Sequence, residues 1–190
     1  MIDVIRALRT SLYQHPGGRW LVDRVSKRIL SRPRRIMFGP GAGLIFDGSG
    51  GGLPGQVLGT TDIEEQRLLA SILKPGAVFY DIGANIGFYA IIGSRLVGAQ
   101  GRVFAFEPMT ASLAMLRHNL ALNSLQNVTI CEKAASDENK ELQFAFDAET
   151  SQHSTVSASS TQQVTAVAIR IDSLLGDRTS AASHDRRRGA

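Results

Sequence analysis

The chain has 190 residues, 43% hydrophobic and 20% charged, with one cysteine, Cys131. The length suits one domain with a sizeable core plus extra N-terminal material, the composition excludes a disordered chain, and the single cysteine excludes an internal disulfide framework. The formal net charge of +4 is concentrated at the ends, between Arg6 and Arg35 and at Arg186, Arg187 and Arg188, with no interleaved aromatics or recognition motif to indicate a nucleic-acid partner.

Residues 3–30 predict one or two basic amphipathic helices, with Val4, Ile5, Leu8, Leu12 and then Leu21, Val22, Val25, Ile29 near helical spacing and His15-Pro16-Gly17-Gly18 as a break. Such a helix either lies on an anionic membrane surface or docks on its own domain, and docking is the expectation. No apolar run reaches the length of a membrane-spanning helix, and charges fall where a signal peptide would be apolar, so a cytoplasmic protein is expected, with membrane contact at most peripheral.

Residues 36–60 are Gly-rich around Leu44-Ile-Phe46 and predict a hairpin or wide turns. A phosphate-cradling loop there lacks its Lys and hydroxyl. Thr61-Asp62 should cap a helix from Glu64 to Leu73, with Ile63, Leu68, Leu69 and Ile72 inward and Lys74-Pro75-Gly76 as its stop.

A βαβ rhythm follows: a strand at 77–80, a Gly-bearing turn, a helix at 86–97, a strand at 102–106, a helix at 110–123 and a strand at 128–131. This alternation predicts three parallel strands with flanking helices, a Rossmann-like α/β sheet. Leu142–Phe146 and Val164–Ile171 then alternate as an antiparallel pair, separated by a Ser/Thr/Gln-rich stretch read as a mobile loop.

The turn Asp81-Ile-Gly-Ala-Asn-Ile-Gly87 carries the chemistry. Gly83 and Gly87 allow the backbone to approach a ligand, the following helix presents free N–H groups, and Asp81 sits at the carboxyl edge, where open α/β sheets bind ligands. Asn85 should cap the helix or bond the ligand, with Ala84 beside it. Asn85 replaces the middle glycine of a dinucleotide fingerprint, and Asp81 is ill suited to a pyrophosphate, so S-adenosylmethionine, with its ammonium and sulfonium, is favoured. Glu107 can accept bonds from both ribose hydroxyls of either ligand. Asp137 falls near where an adenine amino group would lie, though a loop acid is as often a solvating residue. His118 reads as a helix-face residue and Cys131 as a core residue. His15, His153 and His184 have no metal-ligand spacing, and no metal site is expected.

Leu73-Lys-Pro-Gly76, Tyr80-Asp-Ile-Gly-Ala-Asn-Ile-Gly87, Gly101-Arg-Val-Phe-Ala-Phe-Glu-Pro108, Asn119-Leu-Ala-Leu-Asn123 and Ala134-Ala-Ser-Asp137 together resemble the FkbM family of methyltransferases, over roughly residues 64–175. The resemblance implies S-adenosylmethionine-dependent O-methylation of a hydroxyl on a sugar, glycolipid or polyketide-type metabolite. It also implies a fourth parallel strand, of an Ile-Lys-Ile-Asp-Val-Glu-Gly type, after Ile171-Asp-Ser-Leu-Leu175. Here a polar Arg-rich segment, 176–190, stands in that place, as in a frameshifted or truncated product or a disordered tail. The resulting expectation is an N-terminal extension over 1–60, an incomplete cofactor domain over 61–175 and a tail over 176–190. No catalytic base is assigned, cofactor binding should be weak, and the alternative is a non-catalytic nucleoside-binding module that completes its sheet with a partner.

Overall fold

The computed structural model describes residues 16–147, 152–154 and 163–171. In chain order these form α1 (Pro16–Leu30), β1 (Arg34–Arg35), β2 (Ile45–Phe46), α2 (Pro54–Leu58), α3 (Ile63–Ile72), β3 (Val78–Ile82), α4 (Phe88–Val97), β4 (Arg102–Phe106), α5 (Thr110–Leu122), β5 (Val128–Cys131), β6 (Ala134–Ser136), β7 (Lys140–Asp147), β8 (Gln152–Ser154) and β9 (Gln163–Arg170).

The centre is a parallel sheet in the order β3-β4-β5, as the βαβ rhythm predicts. In register, Asp81 lies opposite Ala105 and Val103 opposite Val128. The middle strand, β4, is buried from Val103 to Phe106 and reads as an unbroken apolar run, as a strand with a neighbour on each side should. Among the described residues β3 pairs only with β4, and Val78 and Ile82 are half exposed. Tyr80 stacks on Phe104 at 5.3 Å, while Ala105, one residue on and on the other face, joins the core with Ile91 of α4 and Leu116 of α5.

The N-terminal segment contributes to that same core. Ile36, Phe46 and Val57 are buried in it, and the Phe46 ring meets Phe88 edge-on at 5.4 Å. A hairpin forms here, but its first strand, β1, precedes the 36–60 stretch expected to hold it: Arg34 lies opposite Phe46. A separate mixed sheet has the order β6-β9-β7-β8. The expected antiparallel pair is β7–β9, with Leu142 opposite Ala166.

Several local expectations are corrected. Pro16-Gly17-Gly18, expected within a break, form the first turn of α1, because a proline in the first turn loses no intrahelical bond; what precedes Pro16 lies outside the described residues. Leu21 and Val25, expected to face inward, are exposed. In α3, Leu68 and Ile72 are also exposed and Gln66 is fully buried, its amide donating to the Thr61 carbonyl. Asp62 precedes α3 with φ of 46° and no side-chain cap bond. Ala134–Ser136, not expected as a strand, pairs parallel with β9. Within the stretch read as a loop, Gln152–Ser154 form β8 against β7. The helical pattern at 3–15, the rest of that loop, residues 172–175 and the 176–190 tail fall outside the described residues.

Candidate functional site

The turn after β3 is fastened to the end of β4. The N–H groups of Gly83 and Ala84 both donate to the Phe106 carbonyl, each at 2.9 Å. Glu107 follows immediately and is 6% exposed. Its Oε2 accepts the Asn85 N–H at 2.9 Å and its Oε1 accepts the Met109 N–H at 2.8 Å. One buried carboxylate therefore couples the two loops at the carboxyl edge of the sheet, and its further lone pairs are directed by backbone bonds rather than by a flexible partner.

Asp81 is the second buried carboxylate, 8% exposed. Burial, reinforced by the nearby charge of Glu107 and partly offset by the Ala90 backbone N–H, pushes its pKa up to about 7. Its Oδ2 is buried with no hydrogen-bond partner. An acceptor in that position matches a cationic donor, which would both pair it and favour its ionised form.

The stability consequence has a definite sign. Below the ordinary value of 3.8 Asp81 is protonated in both folded and unfolded chains; between there and about 7 the folded state holds a proton that the unfolded chain has released. Stability therefore falls as pH rises through that window, by up to about 4 kcal/mol when complete. Thermal unfolding of the apo protein should shift to higher temperature as pH drops from about 8 to about 6. Asp81→Asn should raise stability at the higher pH and flatten this slope. An unchanged slope in the variant would remove Asp81 as its source.

The two glycines do different things. Gly83 has φ of 75°, and a Cβ built on it meets nothing within 4 Å, so a side chain there would project into open space at the loop surface. Gly87 has φ of 92°, but its Cβ would strike Leu116 Cδ1 at 2.5 Å. That position gives room to α5 rather than to a ligand. Ala84 is buried in the core. Asn85, with φ of 48°, does not cap α4, whose N-cap is Gly87; instead its Oδ1 accepts the Ser112 hydroxyl at 3.2 Å. Asp137 is fully solvent-facing and bonded to Ser136 and Lys140, which hold its carboxyl below the usual range. It lies in the turn between β6 and β7, and the structure does not join it to the Asp81–Glu107 pair.

One further residue belongs to this arrangement, and its sequence position alone assigns it no role. Asn119 of α5 is fully buried. Its Oδ1 accepts the Asp47 N–H at 2.7 Å, and its Nδ2 donates to the carbonyls of Asp47 at 3.1 Å and Ile86 at 2.8 Å. One turn later Asn123 repeats the pattern on the N–H and carbonyl of Ile45. The two carboxamides thus serve the extended segment 45–47 as a neighbouring strand would, and Asn119 ties that segment to the turn. His118 Nε2 lies 3.2 Å from Asp47 Oδ2, so it is more than a helix-face residue. The available signal was polar Asn119 in line with the apolar positions Leu113, Leu116 and Leu120, since a buried amide requires partners.

A cavity of about 800 Å³, bordered by Arg95, Arg102, Ser124 and Asn127, opens at the amino ends of β4 and β5. Open α/β sheets bind ligands at the opposite, carboxyl edge, so the cavity's size does not make it the site. Among the described residues no cluster of metal-ligating side chains occurs.

The model of the Methyltransferase FkbM domain matches residues 81–183, more than half of the chain. The chain is 31% identical to a ribosomal protein L11 methyltransferase of Caldanaerobacter subterraneus subsp. tengcongensis, over 56% of this chain and 34% of that protein. It is 36% identical to a probable cobalt-precorrin-6B C(15)-methyltransferase (decarboxylating) of Sulfolobus acidocaldarius, over 44% of this chain and 47% of that protein. The chain thus spans about a third to a half of the length of these curated relatives. Among solved structures, a SAM dependent methyltransferase from Aquifex aeolicus is 30% identical, with a TM-score of 0.34, over 40% of this chain and 39% of that one.

Proposed function

Because this chain belongs to the FkbM methyltransferase family, we propose that it takes part in transferring a methyl group to a hydroxyl of a sugar, glycolipid or polyketide-type metabolite. The cofactor is S-adenosylmethionine, which supplies an electrophilic methyl on a sulfonium. The observation that carries the reading is the buried Glu107 carboxylate, fixed by the Asn85 and Met109 N–H groups at the carboxyl edge of the sheet. It can accept two ribose hydroxyls without moving. Asp81 fits the same ligand, since its unpartnered Oδ2 suits a cationic group. Gly83 leaves the space over the turn clear, and Ala84, Asn85 and Gly87 hold the turn's shape. Asp137 is proposed at the adenine end, where its exposed carboxylate would have to approach a bound nucleoside.

The chain's own contribution is to bind and orient; holding the acceptor hydroxyl in line with the methyl is the largest lever on such a transfer. The curated relatives are named for other acceptors, a ribosomal protein and a precorrin, so the hydroxyl acceptor rests on the family resemblance. A cytoplasmic location is proposed with it. No described helix is long and apolar enough to cross a membrane.

Titration calorimetry with S-adenosylhomocysteine tests the cofactor site. The expected result is saturable binding that Gly83→Arg abolishes, because the longer side chain fills the open space beside the turn at a backbone conformation that disfavours it. Equal affinity in that variant would place the ligand elsewhere. Methyl transfer from labelled cofactor to hydroxylated acceptors, assayed against ribosomal protein as a rival, tests the substrate class.

A further inference from the structure

We propose that α1 is a peripheral membrane anchor that seats the protein on an anionic lipid surface. This is independent of the cofactor site and adds a second task to a helix expected to dock on its own domain. Its C-terminal end does so: Ile29 and Leu30 lie against the core. Arg34 fixes that end, donating to the carbonyls of Ile29 at 2.9 Å and Arg28 at 3.2 Å. Three apolar side chains before it face solvent. Trp20 is 63% exposed, Leu21 45% and Val25 47%.

Leu21, Val25 and Ile29 follow at four-residue intervals, so one stripe begins in the core and runs outward to exposed leucine. Cations flank it. Arg24, Lys27 and Arg28 are exposed on the helix, with Arg32 and Arg35 exposed just beyond it. The Arg24 guanidinium lies 5.3 Å from the centroid of the Trp20 ring. Exposed apolar residues interleaved with basic ones, with an indole among them, suit the boundary between headgroups and acyl chains. The charges select the lipid. Each cation at an anionic surface strengthens partitioning about fivefold. A nucleic-acid surface would use the same charges but has no use for a projecting Leu21 and Val25.

Trp20 is the only tryptophan in the chain, so its fluorescence reports on this helix alone. Adding equimolar phosphatidylglycerol–phosphatidylcholine vesicles to the full chain should shift the emission to shorter wavelength and bring the protein down with the vesicles. Pure phosphatidylcholine should do neither. Raising salt to about 1 M, where the Debye length is about 3 Å, should weaken the association. Arg24→Gln/Lys27→Gln/Arg28→Gln should lower partitioning about a hundredfold. Leu21→Asp/Val25→Asp should abolish the spectral shift with circular dichroism and melting temperature unchanged, since both side chains are already exposed. The proposal is overturned by no shift with anionic vesicles, or by an equal shift in the aspartate variant. It is also overturned by binding of duplex DNA in place of vesicles, or by a stable dimer whose Trp20 emission is already shifted.

Discussion

Glu107→Ala should weaken S-adenosylhomocysteine binding by about two orders of magnitude, read by titration calorimetry. Hydrogen bonds to a charged group are worth about 1.5–3 kcal/mol each, and two ribose hydroxyls on one carboxylate therefore account for about 3 kcal/mol or more, which is a hundredfold or greater. The same substitution also frees the N–H groups of Asn85 and Met109, which Glu107 now satisfies. A fall in unfolding free energy of about 2 kcal/mol should accompany the lost affinity, since a buried donor left without a partner costs about 1–3 kcal/mol. Glu107→Gln separates the two effects. It keeps one acceptor oxygen and roughly the same shape, so it should recover much of the stability while affinity stays depressed about tenfold. If Glu107→Ala bound the ligand as tightly as the parent chain, the carboxylate would be structural and the nucleoside would sit elsewhere.

Removing Glu107's charge has a second consequence at Asp81. Glu107 is one of the groups that raise the Asp81 pKa, after burial itself, so in either Glu107 variant the pH dependence of stability should move to lower pH. The two carboxylates are thus coupled through the site. A cationic ligand group would relieve both at once, which is why stability and affinity are expected to trade against each other here.

How far the sequence disclosed this arrangement follows from what each feature depends on. The strands β3, β4 and β5 were legible because short apolar runs and helical spacing are local signals, and the turn at 81–87 was legible because glycine spacing is too. Faces of helices were less so. Leu68 and Ile72 have helical spacing yet are exposed, since spacing shows that a stripe exists and not whether anything covers it. The strands β6 and β8 are three residues each, too short to show alternation, and exist by virtue of β9 and β7. The separate tasks of Gly83 and Gly87 depend on Leu116, almost thirty residues along from Gly87, which no local pattern reveals. The joining of Asp47 to Asn119 is of the same long-range kind.

That joining carries the largest stability effect expected. Asn119→Leu should lower the unfolding free energy by about 3–5 kcal/mol, measured as a drop in urea midpoint with little change in slope. Leucine approximates the volume but can neither accept from the Asp47 N–H nor donate to the carbonyls of Asp47 and Ile86. Asp47 is 8% exposed and Ile86 2%, so water cannot readily replace the amide, and each stranded group costs about 1–3 kcal/mol. Against a total of about 5–15 kcal/mol for a typical domain, that is a large fraction. Asn123→Leu provides the comparison. It strands the N–H and carbonyl of Ile45, but the site is only half-buried, and a loss of about 1–2 kcal/mol is expected. The two variants should also differ in ligand binding, because only Asn119 reaches the turn that carries Asn85 and Gly87. In Asn119→Leu the Ile86 carbonyl loses its partner and the turn its tie to α5, so affinity should fall under conditions where the protein is still folded, whereas Asn123→Leu should leave affinity unchanged. Equal losses of affinity in the two would mean that the turn keeps its shape without the amide, and that Asn119 serves only to hold segment 45–47 in the core.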